Sequence, residues 1–174
     1  VNPFDQSIIH FLNQFSQRSR FVDYFVGVVS SNQLLSGALF MASLWWAWFR
    51  RGESECGEQG TRDRQTIAAG LVLSAVVLFL ARLLAILLPF RVRPMWNPAL
   101  HFRVPFGFGQ GSLFGWSSFP SDHAALFFAL AITIFFFSRR LGIAAFVYAF
   151  FAVCLTRVYL GVHYPTDILA GAAL

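Results

Sequence analysis

No charged side chain stands between Tyr24 and Phe49, and Arg82 alone interrupts the apolar stretch from Thr66 to Leu88. Ala124 to Ser138 and Leu141 to Thr156 are uncharged as well. Apolar runs of this length belong in a bilayer, because about 20 residues of helix cross its hydrocarbon core. Composition agrees: 57% of the 174 residues are hydrophobic, 18% are aromatic and 12% are charged, the last about half the ~25% of a soluble domain. The expected class is an all-α, polytopic membrane helical bundle. Disorder, coiled coil and disulfide scaffold are excluded by the same figures.

All 13 basic residues are arginines, giving a net charge of +5 against eight acids. They sit at the ends of apolar runs, where they meet phospholipid headgroups or phosphates. Membrane lipids are therefore the expected surroundings and nucleic acid is not an expected partner. Cys56 and Cys154 fit neither a metal-site spacing nor a disulfide pair. No oligomeric state is read from the sequence.

Residues 1–32 read as an amphipathic, interfacial segment and residues 33–174 as the bundle. Phe4, Ile8, Phe11, Leu12 and Phe15 share one helical face opposite Asp5, Gln6, Asn13 and Gln14, after an Asn2-Pro3 start. That pattern predicts a helix lying on the membrane surface. Five spans are expected: Leu34 to Phe49, Thr66 to Leu88, Ser121 to Ser138, Leu141 to Arg157, and one opening at Pro165. The polar stretch 50–65 reads as a loop, Arg139-Arg140 as a tight turn, and the acid-free connection from Pro89 to Pro120 as a loop with Gly107, Gly109, Gly111 and Gly115. His10, His101, Trp96 and Trp116 read as interfacial. A chain that starts at Val1 and stops in an apolar run reads as an excerpt of a longer one, truncated in its fifth span.

Three polar clusters stand at span ends: Arg91-Val92-Arg93-Pro94, Phe119-Pro120-Ser121-Asp122-His123, and Thr156-Arg157 with His163 and Asp167. Two spans separate the second cluster from the third and only a loop separates the first from the second, so all three emerge on one side. Ser121 suits an N-cap whose helix start attracts an anion; an ordinary cap beside an interfacial histidine is the alternative. Asp167, four residues after His163, can hold one imidazole nitrogen and leave the other as a nucleophile. A simple helix-dipole cap is equally open. Arg93 and Arg157 offer planar donors for phosphate oxygens, or for headgroups. Arg82 precedes Ile86 by one turn and is a further phosphate candidate, with pairing to freed carbonyls as its alternative.

Together the clusters resemble the three-part signature of the type-2 phosphatidic acid phosphatase (PAP2) superfamily. That signature is a basic residue, six positions and Arg-Pro; Pro-Ser-Gly-His; and Ser-Arg, five positions, His, three positions, Asp. Arg93-Pro94, Pro120-Ser121-Asp122-His123, and Thr156-Arg157 with His163 and Asp167 match it in order. Asp122 replaces the usual glycine, a form similar to bacterial undecaprenyl-diphosphate phosphatases. Thr156 replaces serine, and Ile86 stands where the family has lysine.

The resemblance implies a PAP2/haloperoxidase-like bundle and a phosphatase in which His163 attacks phosphorus, Asp167 orients it and His123 protonates the leaving group. Arg93, Ser121, Arg157, Asp122 and Arg82 form the expected substrate-binding set. It implies a lipid phosphate substrate, with undecaprenyl diphosphate favoured over phosphatidate or phosphatidylglycerophosphate. A non-catalytic lipid-binding or transport protein on the same scaffold is the rival class. No cofactor is expected. No metal is expected either, because Asp122 and Asp167 are the only acids between Arg64 and Leu174. The stretch 50–65 and the 139–140 turn hold six arginines on one face. Setting aside Arg91, Arg93 and Arg157 as ligands leaves Arg18, Arg20 and Arg103 on the other, so the positive-inside rule predicts a bacterial inner-membrane protein with an extracytoplasmic site.

Overall fold

In the computed structural model, residues 1–49, 57–109 and 113–174 are described, with side chains of the helix beginning at residue 57 described from residue 60. Cys56, Arg50, Arg51 and Gly111 lie outside them. The elements are α1 (Pro3–Asn13), α2 (Arg20–Ser31), α3 (Gln33–Phe49), α4 (Gly57–Leu87), α5 (Asp122–Phe137), α6 (Arg139–Tyr148), a π-helical segment (Ala149–Leu155), α7 (Thr156–Tyr159) and α8 (Pro165–Ala173). No strand occurs among the described residues.

Local chemistry sets several boundaries. Asn2 Oδ1 accepts from the Asp5 amide at 2.7 Å, starting α1 beside Pro3. Asn32 Oδ1 accepts from the Leu34 and Leu35 amides at 2.9 and 3.2 Å, so one residue ends α2 and starts α3 at a 55° bend. Ser138 likewise closes α5 through its amide to Ile134 O, 2.9 Å, and caps α6. Arg139 and Arg140 are thus the first residues of α6, not a turn. Similarly, residues 57–65 belong to α4 and not to a loop. The hairpin from α5 to α6 is tight because Gly142 faces the Phe135 backbone, whose nitrogen would lie 2.8 Å from an added Cβ.

Helix α5 is the hub, packing against α4, α6, α8 and the π-helical segment. Phe40, Ala131, Ile134 and Ala149 are fully buried around it. Alanines and glycines let the backbones approach, as where Gly70 meets Thr133 and Ala81 meets Ala125. The outer face of α4 exposes Leu71, Val72, Leu73, Val76 and Phe79, an apolar surface suited to acyl chains.

The expected five spans are not all found. Gly60–Leu87 and Arg139–Tyr159 are long and apolar enough to cross a membrane, and the bent α2–α3 pair makes a third if counted as one span. At 16 residues α5 is ~24 Å long, short of the ~30 Å hydrocarbon core. Within the chain α8 covers nine residues. These spans make the chain an integral membrane protein.

Helix α1 is amphipathic as expected, but the face it buries carries Asp5 and Asn13 beside Ile9. Asp5, Ile9 and Asn13 are buried, while Phe4, Phe11 and Phe15 are exposed. Asn13 Nδ2 donates to Arg103 O at 2.7 Å and its Oδ1 accepts the Arg103 amide at 2.9 Å. In contact with lipid the polar groups gain more from partners inside the bundle than from acyl chains.

Candidate active site

All three polar clusters converge at one end of the bundle. The long connection is tied there by the Ser118 amide to Arg91 O and the Met95 amide to Gly161 O, each 2.9 Å. A cavity of about 140 Å³ opens between them, with Arg82, Arg93, Asp122, His123, Arg157 and His163 among its lining residues.

His163 is 3% exposed and sits in the turn between α7 and α8. Its Nδ1 lies 2.8 Å from Ser118 O. A carbonyl only accepts, so Nδ1 carries the proton and Nε2 keeps its lone pair. Burial pushes the imidazole below its ordinary value; Asp167 opposes this, while the positive charges of Arg93 and Arg157 add to it. The neutral form is thus the one held at neutral pH.

Asp167 is completely buried, yet it is not the closest partner of His163: its Oδ2 lies 3.7 Å from His163 Nδ1. Oδ2 accepts the Tyr164 amide at 2.8 Å, starting α8, and Oδ1 pairs with Arg91. The expected direct Asp167–His163 hydrogen bond is therefore replaced by one from His163 to Ser118 O, with Asp167 supplying a nearby negative charge. The cap and charge-partner readings of Asp167 both describe it, since one carboxylate does each job with a different contact.

Ser121 caps α5 by accepting from the Ala124 amide at 3.3 Å, and it is fully buried. Its amide donates to Asp167 O at 3.1 Å, locking α5 to α8. Gly171 permits that contact, since a side chain there would meet Ser121 O. In the first turn, Asp122 Oδ1 lies 2.9 Å from His123 Nδ1 and Oδ2 lies 2.8 Å from Arg82 Nη2. Both Asp122 oxygens are thus paired with neighbouring side chains, whereas the sequence places Asp122 among the expected phosphate-binding residues.

Arg93 is held rigidly. Its Nε, Nη1 and Nη2 donate to the carbonyls of Trp116, Val162 and Ser117 at 3.2, 2.8 and 3.2 Å. Arg157 differs: Nη2 reaches Ser30 O at 3.5 Å and Nε, although buried, has no partner. Arg157 lines the cavity, and a buried guanidinium donor without a partner carries a desolvation cost that an acceptor would relieve. The π-helical segment ends at Leu155, two residues before Arg157, and Thr156 Oγ1 turns back to Ala152 O at 2.8 Å, so the altered register sets where Arg157 emerges.

Arg82 reaches the same cavity, its guanidinium 5.2 Å from the Trp116 ring centre. Sequence reasoning missed Ser118, whose contribution is a main-chain carbonyl, and the burial of Asp5 beside Arg91. Among the described residues no group of three His, Cys, Asp or Glu side chains is arranged to hold a metal ion.

Comparison with known proteins adds the following. The model of the PAP2 superfamily matches residues 67–174. The bacitracin transport permease protein BcrC of Bacillus licheniformis is 50% identical over 58 residues, 33% of this chain and 28% of that protein. The lipid A 4'-phosphatase of Bacteroides thetaiotaomicron is 43% identical over 66 residues, 37% of this chain and 28% of that one. The putative undecaprenyl-diphosphatase YbjG of Escherichia coli is 37% identical over 54 residues, 31% and 27% of the respective chains. The matched segments thus span 27–28% of these relatives' own length. In fold, the chain is similar to a transmembrane PAP2 type phosphatidylglycerolphosphate phosphatase from Bacillus subtilis, with TM-score 0.52 and 21% identity over 97% of this chain and 77% of that one.

Proposed function

The chain belongs to the PAP2 superfamily, and on that premise we propose that it is a membrane lipid phosphatase that works through a phosphohistidine on His163. The observation that carries this reading is His163 itself: buried, neutral, its Nδ1 turned to Ser118 O, on a cavity with an unpaired arginine donor.

The reaction follows from that arrangement. His163 Nε2 attacks phosphorus while the bond to the leaving oxygen breaks. His123 gives that oxygen a proton, with Asp122 holding its Nδ1. The phosphorylated imidazole keeps its Nδ1 proton on Ser118 O and is balanced by Asp167 at 3.7 Å. Water then attacks phosphorus, His123 takes its proton, and phosphate leaves from neutral His163. Arg157 and Arg93 stabilise the equatorial oxygens. Arg82 adds positive charge from the side where the family has lysine. Asp122 serves this chemistry by orienting His123.

Undecaprenyl diphosphate is the proposed substrate. Support comes from the Ser121-Asp122-His123 form and the resemblance to a putative undecaprenyl-diphosphatase. A second cavity of about 320 Å³ shares His123, Arg157 and Val162 with the first and continues past Phe127 to the α2–α3 bend, giving room for the start of a lipid chain. A lipid phosphomonoester is the second reading, favoured by the similarity to a lipid A 4'-phosphatase. The proposed setting is the bacterial inner membrane with the site facing outward. Phosphate release from a panel of lipid diphosphates and monophosphates tests the activity and the substrate class. Release from none of them, or full activity in His163→Ala, sinks the proposal.

A further inference from the structure

Asp5 lies far from the motifs in sequence, yet its side chain is completely buried at the start of α8. Its Oδ1 accepts the Thr166 amide at 2.9 Å, and its Oδ2 accepts from Thr166 Oγ1 and from Arg91 Nη2, both at 2.7 Å. Arg91 Nη1 donates to Thr166 Oγ1 at 2.9 Å and to Asp167 Oδ1. The guanidinium is steadied 4.1 Å from the Tyr164 ring centre. One arginine therefore stands between two buried carboxylates, and the second of these faces the nucleophile's Nδ1.

We propose that Asp5 is a positioning residue: by holding Arg91 it fixes Asp167 and sets how much of that carboxylate's negative charge reaches His163. The proposal rests on reading His163 as the nucleophile. Physically, two buried anions compete for one cation, so removing either gives the other more of the cation's field. Without the Asp5 charge, Arg91 neutralises Asp167 more fully and draws it from His163. The imidazole then loses stabilisation of its protonated form and becomes a weaker base. Other charges facing His163 are Arg93 from the long connection, Arg157 from α7, and Asp122 from α5. His123 lines the same cavity. None of these is a hydrogen-bond partner of the Asp5 side chain.

The test is a ¹⁵N-imidazole NMR titration of the whole chain in detergent, where four histidines are present and the His163 signal is identified by its loss in His163→Gln. Asp5→Asn is expected to move the His163 titration down by about half a pH unit or more, and Asp5→Glu to restore it. Arg91→Gln is expected to move it up. General loosening of the bundle would instead hydrate His163 and raise its titration in Asp5→Asn as well, which makes the sign diagnostic. An unchanged or raised titration in Asp5→Asn overturns the proposal; if that variant does not fold, Asp5→Ser is held to the same outcomes. Turnover of a lipid phosphate is measured in parallel, with kcat expected to fall about tenfold in Asp5→Asn at unchanged KM. A wild-type chain that hydrolyses no lipid phosphate defeats the phosphatase reading, whereas an active wild type with an indifferent Asp5→Asn defeats only the role of Asp5.

Discussion

Arg82 Nη2 and Asp122 Oδ2 lie 2.8 Å apart, joining the last turns of α4 to the first turn of α5 at the mouth of the cavity. Asp122 stands where the family has glycine, and its other oxygen meets His123. A charge added by one departure from the motif is thus answered by an arginine one turn from another departure, Ile86. The Arg82 side chain remains 50% exposed, so it can meet solvent and substrate while paired.

This pairing makes Arg82 testable separately from folding. Arg82→Gln is expected to lower kcat/KM about tenfold, equivalent to about 1.4 kcal/mol of transition-state stabilisation. Its Tm in detergent should barely change, because a half-exposed ion pair contributes about 0 to 1 kcal/mol. Unchanged kinetics in the folded variant would remove Arg82 from the proposed substrate-binding set.

The two histidines should fail differently. His163→Ala is expected to abolish turnover and to yield no acid-labile phosphoprotein after a rapid quench with labelled substrate. His123→Ala is expected to slow turnover by about 10² to 10⁴, with much smaller loss on an activated aryl phosphate whose leaving group needs no proton. Equal losses on both substrates would count against His123 as the acid. Activity is also expected to survive chelation; loss on EDTA with recovery on Mg²⁺ would contradict the proposed mechanism.

The depressed titration of His163 fixes the sign of two pH effects. A nucleophile with a lowered value stays neutral further into acid, so the acid limb of kcat/KM should lie below the ordinary imidazole value of 6.5. For stability, the unfolded histidine takes up its proton first as pH falls. The contribution of His163 to stability is therefore expected to decline as pH drops below about 6.5 and to level off beneath the folded value. An acid limb at or above 6.5 in kcat/KM would argue that another group governs it.

Orientation can be read from one thiol. With the site facing outward, Cys56 is expected to resist a membrane-impermeant maleimide in intact cells and to react after permeabilisation. Cys154 is buried, so a Cys56→Ser control should remove the signal. Labelling of intact cells would reverse the proposed topology.

What the sequence by itself determined is what short-range spacing controls. The uncharged runs dictate a helical membrane protein, Ser121 dictates a cap, and the three motifs name residues that do line one cavity: Arg93, His123, Arg157 and His163. Tertiary structure decided the rest. Periodicity marks two faces on α1 but not which one is covered, and with acyl chains outside, the face bearing Asp5 and Asn13 turns inward. Asn32 bends α2 against α3 and α5 stops after 16 residues, so apolar runs did not convert one for one into spans. The immediate partner of His163 is a main-chain carbonyl that any residue could supply. The clamp on Asp167 links Asp5, Arg91 and Thr166 across the length of the chain. Contacts of that kind depend on how the helices pack, because no local pattern records which distant charge a buried carboxylate will meet.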